Sequence, residues 1–284
     1  MDDAIKKADV LIEALPYIKK FRGNTFVIKY GGSILSEASI RKSVLEDIVF
    51  LYFMGINVIL VHGGGPNISD KLKSMNIESR FYEGIRVTDA QTLKVVEQEL
   101  GELNRMLEKE LGEHSTIAVG LEGKDDIIYA RKKQAEADLG FVGEVVGINN
   151  DCLNTLLDEE HIVILCPTAV DRNTGDIYNV NADEVASYLS GALNADKFVL
   201  LTNVRGIMRN PSDTSTLISS INKDGITALK DEGIISGGMI PKVDAGLYAL
   251  KCGVKKAHIV DARIPHALLL EIFTDTGIGT EIVR

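Results

Sequence analysis

Six short runs of apolar, strand-forming residues punctuate the chain: FVIKY (26–30), VILVH (58–62), TIAVGL (116–121), HIVILCP (161–167), KFVLLT (197–202) and AHIVD (257–261). Each is nearly continuous in apolar character, which marks strands buried on both faces. Longer segments with apolar residues at three- and four-residue spacing lie between most of them, such as SIRKSVLEDIVFLYFMG (39–55) and DAQTLKVVEQELGELNRMLEKEL (89–111). Strands alternating with helices predict an α/β fold, an open αβα sandwich around a mostly parallel sheet. A smaller β segment, DIIYARKK (126–133) with GFVGEVVGI (140–148), reads as an added ribbon. Residues 3–21 place Ile5, Ala8, Leu11, Ile12, Leu15 and Ile18 on one helical stripe, which the pattern alone leaves equally free to pack on its own lobe or to serve assembly with another chain. Pro16 is expected to kink that helix, because it removes one N–H bond.

Ligands of such sheets sit at the carboxyl ends of the strands. Two glycine clusters fall there, YGGS (30–33) after the first run and HGGGP (62–66) after the second. Successive glycine amides feeding a helix that opens with Pro66 form an anion cradle. The competing reading is a tight strand–helix turn, for which one glycine would suffice. No GxxxxGK[ST] and no strand-linked GxGxxG occurs, so neither a Walker loop nor a dinucleotide fingerprint is present. Lys29 ends a strand beside Gly31 and Gly32, where it either snorkels to solvent or neutralises a bound anion. In NVNADEV (179–185), Asn181 or Asp183 could cap the next helix, yet the stretch holds more polar groups than one cap requires. SGGMIPKV (236–243) puts Lys242 in a first helical turn, unfavourable for the helix dipole and therefore suited to a ligand. Arg86, in GIRVTD (84–89), suits bidentate recognition of a carboxylate.

Composition narrows the classes. A formal charge of −10 argues against nucleic acid and anionic membrane as partners, but not against a small anion met by local cations. Three scattered cysteines, Cys152, Cys166 and Cys252, offer neither a disulfide framework nor metal-ligand spacing. The charged N-terminus is no signal peptide, and no run approaches the ~18 apolar residues of a membrane span. A soluble cytoplasmic protein is expected. Its length of 284 residues fits one large domain or two lobes.

Eight blocks, KYGGS, HGGGP, GIRVTD, GLEGKD (120–125), GFVGEV, YNVNADE, LLTNVRGI (200–207) and SGGMIPKV, occur in the order found in the N-acetylglutamate kinases. The chain thus resembles that branch of the amino acid kinase family from about residue 9 to its end. The resemblance implies an N-terminal oligomerisation helix (1–24), an acyl-amino-acid lobe (25–193) and an ATP lobe (194–284). It implies phosphorylation of the γ-carboxylate of N-acetyl-L-glutamate by ATP, with Mg²⁺ carried mainly by the nucleotide and no dedicated metal ligands. Carried over by position, Lys29 and Lys242 stabilise the transferring phosphoryl group and Asp183 organises them. Gly64, Gly65, Arg86, Asn179 and Asn181 bind the acyl amino acid. Gly31, Gly32, Thr202, Asn203, Gly206, Ile235, Ser236 and Gly237 bind the nucleotide. Asn203 stands where the family usually has Asp, which puts one nucleotide-side hydrogen bond in question.

The chemistry suits such a set. A γ-carboxylate is ionised at neutral pH, with an unperturbed pKa of about 4.3, so no general base is required. Positioning and charge neutralisation of an in-line phosphoryl transfer remain. A kinase for an acylated or carrier-bound aminoadipate, one methylene longer, is an alternative substrate reading, since a methylene is worth only ~1–3 kcal/mol in a pocket. A non-catalytic nucleotide or amino-acid sensor of the same fold is the alternative from another class. The resemblance further implies that the N-terminal helix interlaces with its copy to join dimers into a hexamer inhibited by L-arginine. The effector site then lies between that helix and the C-terminal segment (266–283), with Tyr17, His266, Glu271, Gly277 and Gly279 as its residues. There Glu271 would meet the guanidinium and loop 277–279 the carboxylate. A PII-type signal protein is a further partner in some lineages, on which this sequence is silent.

Overall fold

The structure, a computed structural model, describes residues 2–274 and 276–284. Ahead of Ile12 it describes the side chains of Ile5 and Asp9 only, so Ala8 and Leu11 of the predicted stripe lie outside the described side chains. The chain opens with α1 (Asp2–Phe21), β1 (Thr25–Tyr30), α2 (Gly32–Leu35), α3 (Ala38–Phe53), β2 (Asn57–His62) and α4 (Gly65–Ser74). The hairpin β3 (Phe81–Tyr82) and β4 (Ile85–Arg86) precedes α5 (Ala90–Gly112) and β5 (Ala118–Leu121). Then come β6 (Ile128–Lys132), β7 (Gly143–Ile148), α6 (Asn150–Asp158), β8 (Ile162–Leu165), β9 (Thr168–Val170), β10 (Ile177–Asn179) and α7 (Ala182–Ala192). The last third holds β11 (Lys197–Thr202), β12 (Ser220–Ile221), α8 (Lys223–Asp231), α9 (Met239–Lys251), β13 (Lys256–Asp261), α10 (Ala267–Ile272) and β14 (Thr280–Ile282).

All six apolar runs enter one eight-stranded sheet of order β12-β14-β13-β11-β1-β2-β8-β5. Its pairings are parallel except β13 with β14. The expected ribbon is part of a second sheet, β10-β9-β6-β7, which caps the carboxyl edge of the first half. Among the described residues no helix is long and apolar enough to cross a membrane.

The period-2 pleat decides which face each side chain serves. From β1, Phe26, Ile28 and Tyr30 enter the core shared with α2, α3, α5 and α10, whereas Val27 enters the core shared with α6, α7, α8 and α9. Each fully buried residue of this size contributes ~1.5–3 kcal/mol over its exposed state. Lys29 has the parity of Val27, so the pleat turns the one cation of β1 toward α7 and α9. Asp89 and Asn181 start α5 and α7 by accepting the amides of Thr92 (2.8 Å) and Asp183 (2.7 Å).

Helix α1 continues through Pro16. Its last turn docks, with Tyr17 edge-on to Phe273 at 5.6 Å and Phe21 edge-on to Phe26 at 5.6 Å. Its stripe does not pack on its own lobe throughout: Ile5, Ile12 and Leu15 are 52%, 63% and 42% exposed.

Gly140 joins the capping sheet to the residues before α5. It has φ +71°, and a Cβ there would collide with the Thr88 carbonyl oxygen, which accepts the Phe141 amide at 2.6 Å. Gly140→Ala is therefore expected to cost more than about 2 kcal/mol. Gly112→Ala, in a helix end with no atom within 4 Å of the new Cβ, should be neutral or stabilising by up to ~1 kcal/mol. Urea unfolding of both variants checks the contrast.

Candidate active site

The carboxyl ends of β1 and β2 bring the two glycine clusters into backbone contact. A Cβ on Gly32 would lie 2.9 Å from the Gly64 nitrogen and 3.1 Å from the Gly65 nitrogen, so only glycine permits this approach. The Gly31 amide is spent on Leu201 O at 3.1 Å and the Gly63 amide on Tyr30 O at 2.9 Å. Gly64 and Gly65 begin α4 and Gly32 begins α2. Amides at helix starts have no intrahelical acceptor. The two helix starts thus bring three such N–H groups close together.

Lys29 lies beside these glycines, its ammonium 3.9 Å from where a Cβ of Gly31 would sit. Asp183, in the first turn of α7, meets it at 2.7 Å, each side chain 11% exposed. The contact is ionic rather than a well-aligned hydrogen bond, since Asp183 Oδ1 has no hydrogen-bond partner. Lys242 completes the group from α9. Its ammonium donates to Gly238 O at 3.0 Å. Burial depresses its pKa, the charge of Asp183 opposes that, and the charge of Lys29 adds to it. The Lys29–Asp183 pair beside these amides, with the Lys242 ammonium near enough to feel both charges, is an arrangement that can take a multiply charged anion.

Two cavities meet at the N-terminus of α9. One, about 1000 Å³, is lined by Asn181, Asp183, Gly237, Gly238 and the hairpin residues Gly84 and Ile85. The other, about 320 Å³, is lined by Thr202, Asn203, Gly206, Ser236, Gly238 and Lys242. The expected nucleotide residues therefore separate. Gly237 faces the larger cavity, and Ile235 turns its side chain into the core, 2% exposed. Asn203 accepts from Thr202 Oγ1 at 3.5 Å, and Gly206 precedes Ile207, whose amide donates to Thr280 Oγ1 at 2.8 Å.

On the other side, Arg86 binds Ser79 Oγ (2.9 Å), Ser69 Oγ (2.8 Å) and Gly65 O (3.0 Å), and stacks on Phe81 at 4.7 Å. Three donors of its fork thus tie the hairpin to the start of α4. Asn179 Nδ2 donates to Thr88 Oγ1 at 3.1 Å, which donates to Arg86 O at 2.9 Å. Asn181 has the cap role that sequence reasoning held open for it. Sequence reasoning passed over Thr88 and Glu184. The Glu184 carboxylate accepts the Val145 amide at 2.9 Å and approaches Lys133 at 3.5 Å, fastening the capping sheet to α7. The only signal for it was its place next to Asp183. Among the described residues, no three His, Cys, Asp or Glu side chains come together as a metal site.

The expected effector residues lie apart from this site, around β13 and α10. Glu271 is fully engaged: Oε1 accepts from His258 Nδ1 at 2.7 Å, and Oε2 accepts from Ile278 N (2.7 Å) and Gly279 N (2.9 Å). The loop expected to receive a ligand carboxylate already holds one, that of Glu271. A Cβ on Gly277 would also strike that carboxylate. Lys197 donates to His258 Nε2 at 3.0 Å, so a neutral imidazole bridges an ammonium and a carboxylate. Burial depresses the pKa of His258 and brings that of Lys197 down to about 8. His266 Nδ1 binds Asp47 at 2.7 Å, and burial lifts the Asp47 carboxyl to about 6. Neither Lys197 nor His258 was singled out in the sequence, where a lysine that opens a strand and a histidine within one stand beside no glycine cluster or other motif.

The profile of the amino acid kinase family matches residues 24–261. The acetylglutamate kinase of Desulforamulus reducens is 47% identical over 286 residues, covering 100% of this chain and 99% of the relative. That of Petrotoga mobilis is 46% identical, covering 99% and 95%. Among solved structures, N-acetylglutamate synthase from Neisseria gonorrhoeae, complexed with coenzyme A and N-acetyl-glutamate, superposes with a TM-score of 0.86 at 27% identity. That match covers 96% of this chain, which spans 62% of the longer synthase. Carbamate kinase from Giardia lamblia, at 17% identity and a TM-score of 0.68, shares the fold.

Gly32→Ala forces its Cβ against the Gly64 and Gly65 amides. Overpacking of this kind costs about 1–3 kcal/mol, here levied on the cradle itself. Affinity for a nucleoside triphosphate should fall roughly 10- to 100-fold, with the circular-dichroism spectrum of the fold retained. Calorimetric titration checks it, and undiminished affinity would contradict a cradle at this point.

Proposed function

Because the chain belongs to the amino acid kinase family, we propose that it transfers the γ-phosphoryl group of ATP to the γ-carboxylate of N-acetyl-L-glutamate. The product is the acyl phosphate N-acetyl-L-glutamyl 5-phosphate, a step of arginine biosynthesis, with the cytoplasm as the expected compartment. The observation that carries the reading is the buried Lys29–Asp183 pair beside Lys242 and three bare glycine amides. Identity of 46–47% to acetylglutamate kinases over essentially the whole chain supports this acceptor over its longer homologue.

Each residue has a task in that reaction. The acceptor carboxylate is already an anion, so its approach to the triphosphate is repulsive and cations must offset the charge. Lys29 and Lys242 supply it at the equatorial oxygens, where charge gathers in the transition state. Asp183 holds Lys29 in place and keeps two neighbouring ammonium groups compatible. The amides of Gly32, Gly64 and Gly65 orient anionic oxygens between them. Arg86, anchored on Ser69 and Ser79, has donors left for the α-carboxylate, and Asn179 and Asn181 border the acyl amino acid. The 320 Å³ cavity beside Lys242 suits the nucleotide. Mg²⁺ enters with the nucleotide phosphates, because Asp183 is committed to lysine.

The exposed Ile5, Ile12 and Leu15 support the interlaced N-terminal helices of a hexamer, since an apolar stripe of this kind needs cover. L-Arginine beside α10 would exchange one carboxylate for another: its own takes the amides of loop 277–279, and Glu271 turns to the guanidinium. Tyr17 on Phe273 links that event to α1. Inhibition then follows if the ligand favours a ring spacing that keeps the lobes apart.

A coupled assay with N-acetyl-L-glutamate and N-acetyl-aminoadipate tests the substrate directly; preference for the longer acid would overturn the assignment. Lys29→Ala and Lys242→Ala should each lower kcat by about 10²-fold or more while changing substrate affinity far less, as for loss of one transition-state stabiliser. Near-normal kcat at saturation in either variant would remove that lysine from the mechanism. Deletion of residues 1–20 should give an active dimer that no longer responds to L-arginine. Sedimentation of the full chain as a dimer, or inhibition that survives the deletion, would contradict the hexamer.

A further inference from the structure

The second sheet ends on β7, whose outer edge has no strand beside it among the described residues. An edge of that kind presents unpaired N–H and C=O groups. Helix α7 takes two of them. The Val145 amide donates to Glu184 Oε1 at 2.9 Å, and the Val146 carbonyl accepts from Tyr188 Oη at 3.1 Å. Glu184 and Tyr188 stand four residues apart, on one face of the helix. The pairing of β6 with β7 skips Val146, so a bulge, which bends a strand, sits where the helix meets the edge.

These contacts join parts of the molecule with different tasks. Glu184 follows Asp183 in the first turn of α7. Tyr188 stacks on Tyr248 with ring centroids 6.5 Å apart, and Tyr248 belongs to α9, the helix of Lys242. In the other direction, Val142, Gly143 and Val145 wall the cavity of about 1000 Å³, and Val142 pairs with Asn179. Phe141 O accepts the Asn179 amide at 2.9 Å. Arg86 has its own tie to Gly65 O, so what the two α7 side chains hold is the wall and Asn179, not the guanidinium. Lys133 approaches Glu184 at 3.5 Å, but the two side chains are 28% and 33% exposed, and solvent screens such a pair. The hydrogen bond to Val145 is the firmer hold.

We propose that Glu184 and Tyr188 are positioning residues that set acceptor length, by holding this wall at a fixed distance from Lys29, Asp183 and Lys242. The inference rests on the phosphoryl-transfer reading and names a determinant of its substrate choice. A dicarboxylate held by its α-carboxylate must present its other carboxylate in line at the phosphoryl site. Against a fixed wall the homologue one methylene longer has to buckle; against a loosened wall it fits. A shaped pocket distinguishes one methylene by about 10- to 200-fold.

The test compares kcat/KM for N-acetyl-L-glutamate and N-acetyl-aminoadipate in the wild type, Glu184→Ala, Glu184→Gln and Tyr188→Phe. The wild type should favour the shorter acid by about tenfold or more. Glu184→Ala should reduce that preference by at least about fivefold, through a higher KM for the shorter acid and a lower one for the longer. KM for MgATP should stay within about twofold. Tyr188→Phe, which removes only a hydroxyl and carries the test if Glu184→Ala does not fold, should reduce the preference by about two- to tenfold. Glu184→Gln still accepts the Val145 amide and should keep the preference, which separates this role from charge pairing with Lys133. A wild type indifferent to length, a preference unchanged in Tyr188→Phe and in folded Glu184→Ala, or an equal loss of rate toward both acids overturns the proposal and leaves phosphoryl transfer standing. A wild type that prefers the longer acid, or phosphorylates neither, removes the functional reading and the proposal with it.

Discussion

A lysine side chain only 11% exposed, its ammonium 2.7 Å from a carboxylate, makes the contact on which the site depends. Taking either ion out of water alone costs several kcal/mol, and removing one partner of such a pair typically destabilises by about 3–5 kcal/mol. The sheet meets that requirement through its pleat. Odd-numbered β1 positions face α7, so Lys29 and Asp183 come from opposite sides of one packed layer. The Asn181 cap fixes the first turn of α7 and hence the direction of Asp183. The same turn carries Glu184, which fastens the capping sheet through Val145 and Lys133. Cation, cap and sheet are therefore one mechanical unit, and Lys242 approaches it from α9 into a field already balanced by Asp183.

The central architecture was legible because burial on both faces leaves an unbroken apolar signature. All six such runs became strands of the main sheet. The two strands without a run, β12 and β14, have two and three residues and sit at the edge, too short for any periodicity. The ribbon at 126–148 was legible as β structure, but its partners β9 and β10 are three-residue strands joined through turns, so the second sheet was not. Glycine clusters at strand ends were readable for a physical reason: the contact of Gly32 with Gly64 tolerates no side chain, and that prohibition is written in the residue type.

What the sequence hid is long-range pairing. Glu271 stands in the segment expected to meet a guanidinium, and nothing local says that its carboxylate closes on the amides of Ile278 and Gly279 while His258 and Lys197 complete a relay from strand β13 to strand β11. Ile235, placed on the nucleotide side by resemblance alone, has its side chain in the core instead. In α1, helical spacing showed an apolar stripe but not what it covers; Ile18 packs on the lobe, whereas Ile5, Ile12 and Leu15 are exposed.

If Lys29, Lys242 and the glycine amides form a phosphoryl site, they should close on a planar mimic of the transferring group. The most direct measurement is a crystal structure of the full chain with MgADP, aluminium fluoride and N-acetyl-L-glutamate. The fluoride group should lie in line between ADP and the γ-carboxylate, with Lys29 and Lys242 on its equatorial fluorides and the Gly32 and Gly64 amides within hydrogen-bond reach. A fluoride group bound elsewhere, or held there with Lys29 still turned only to Asp183, would contradict the site described.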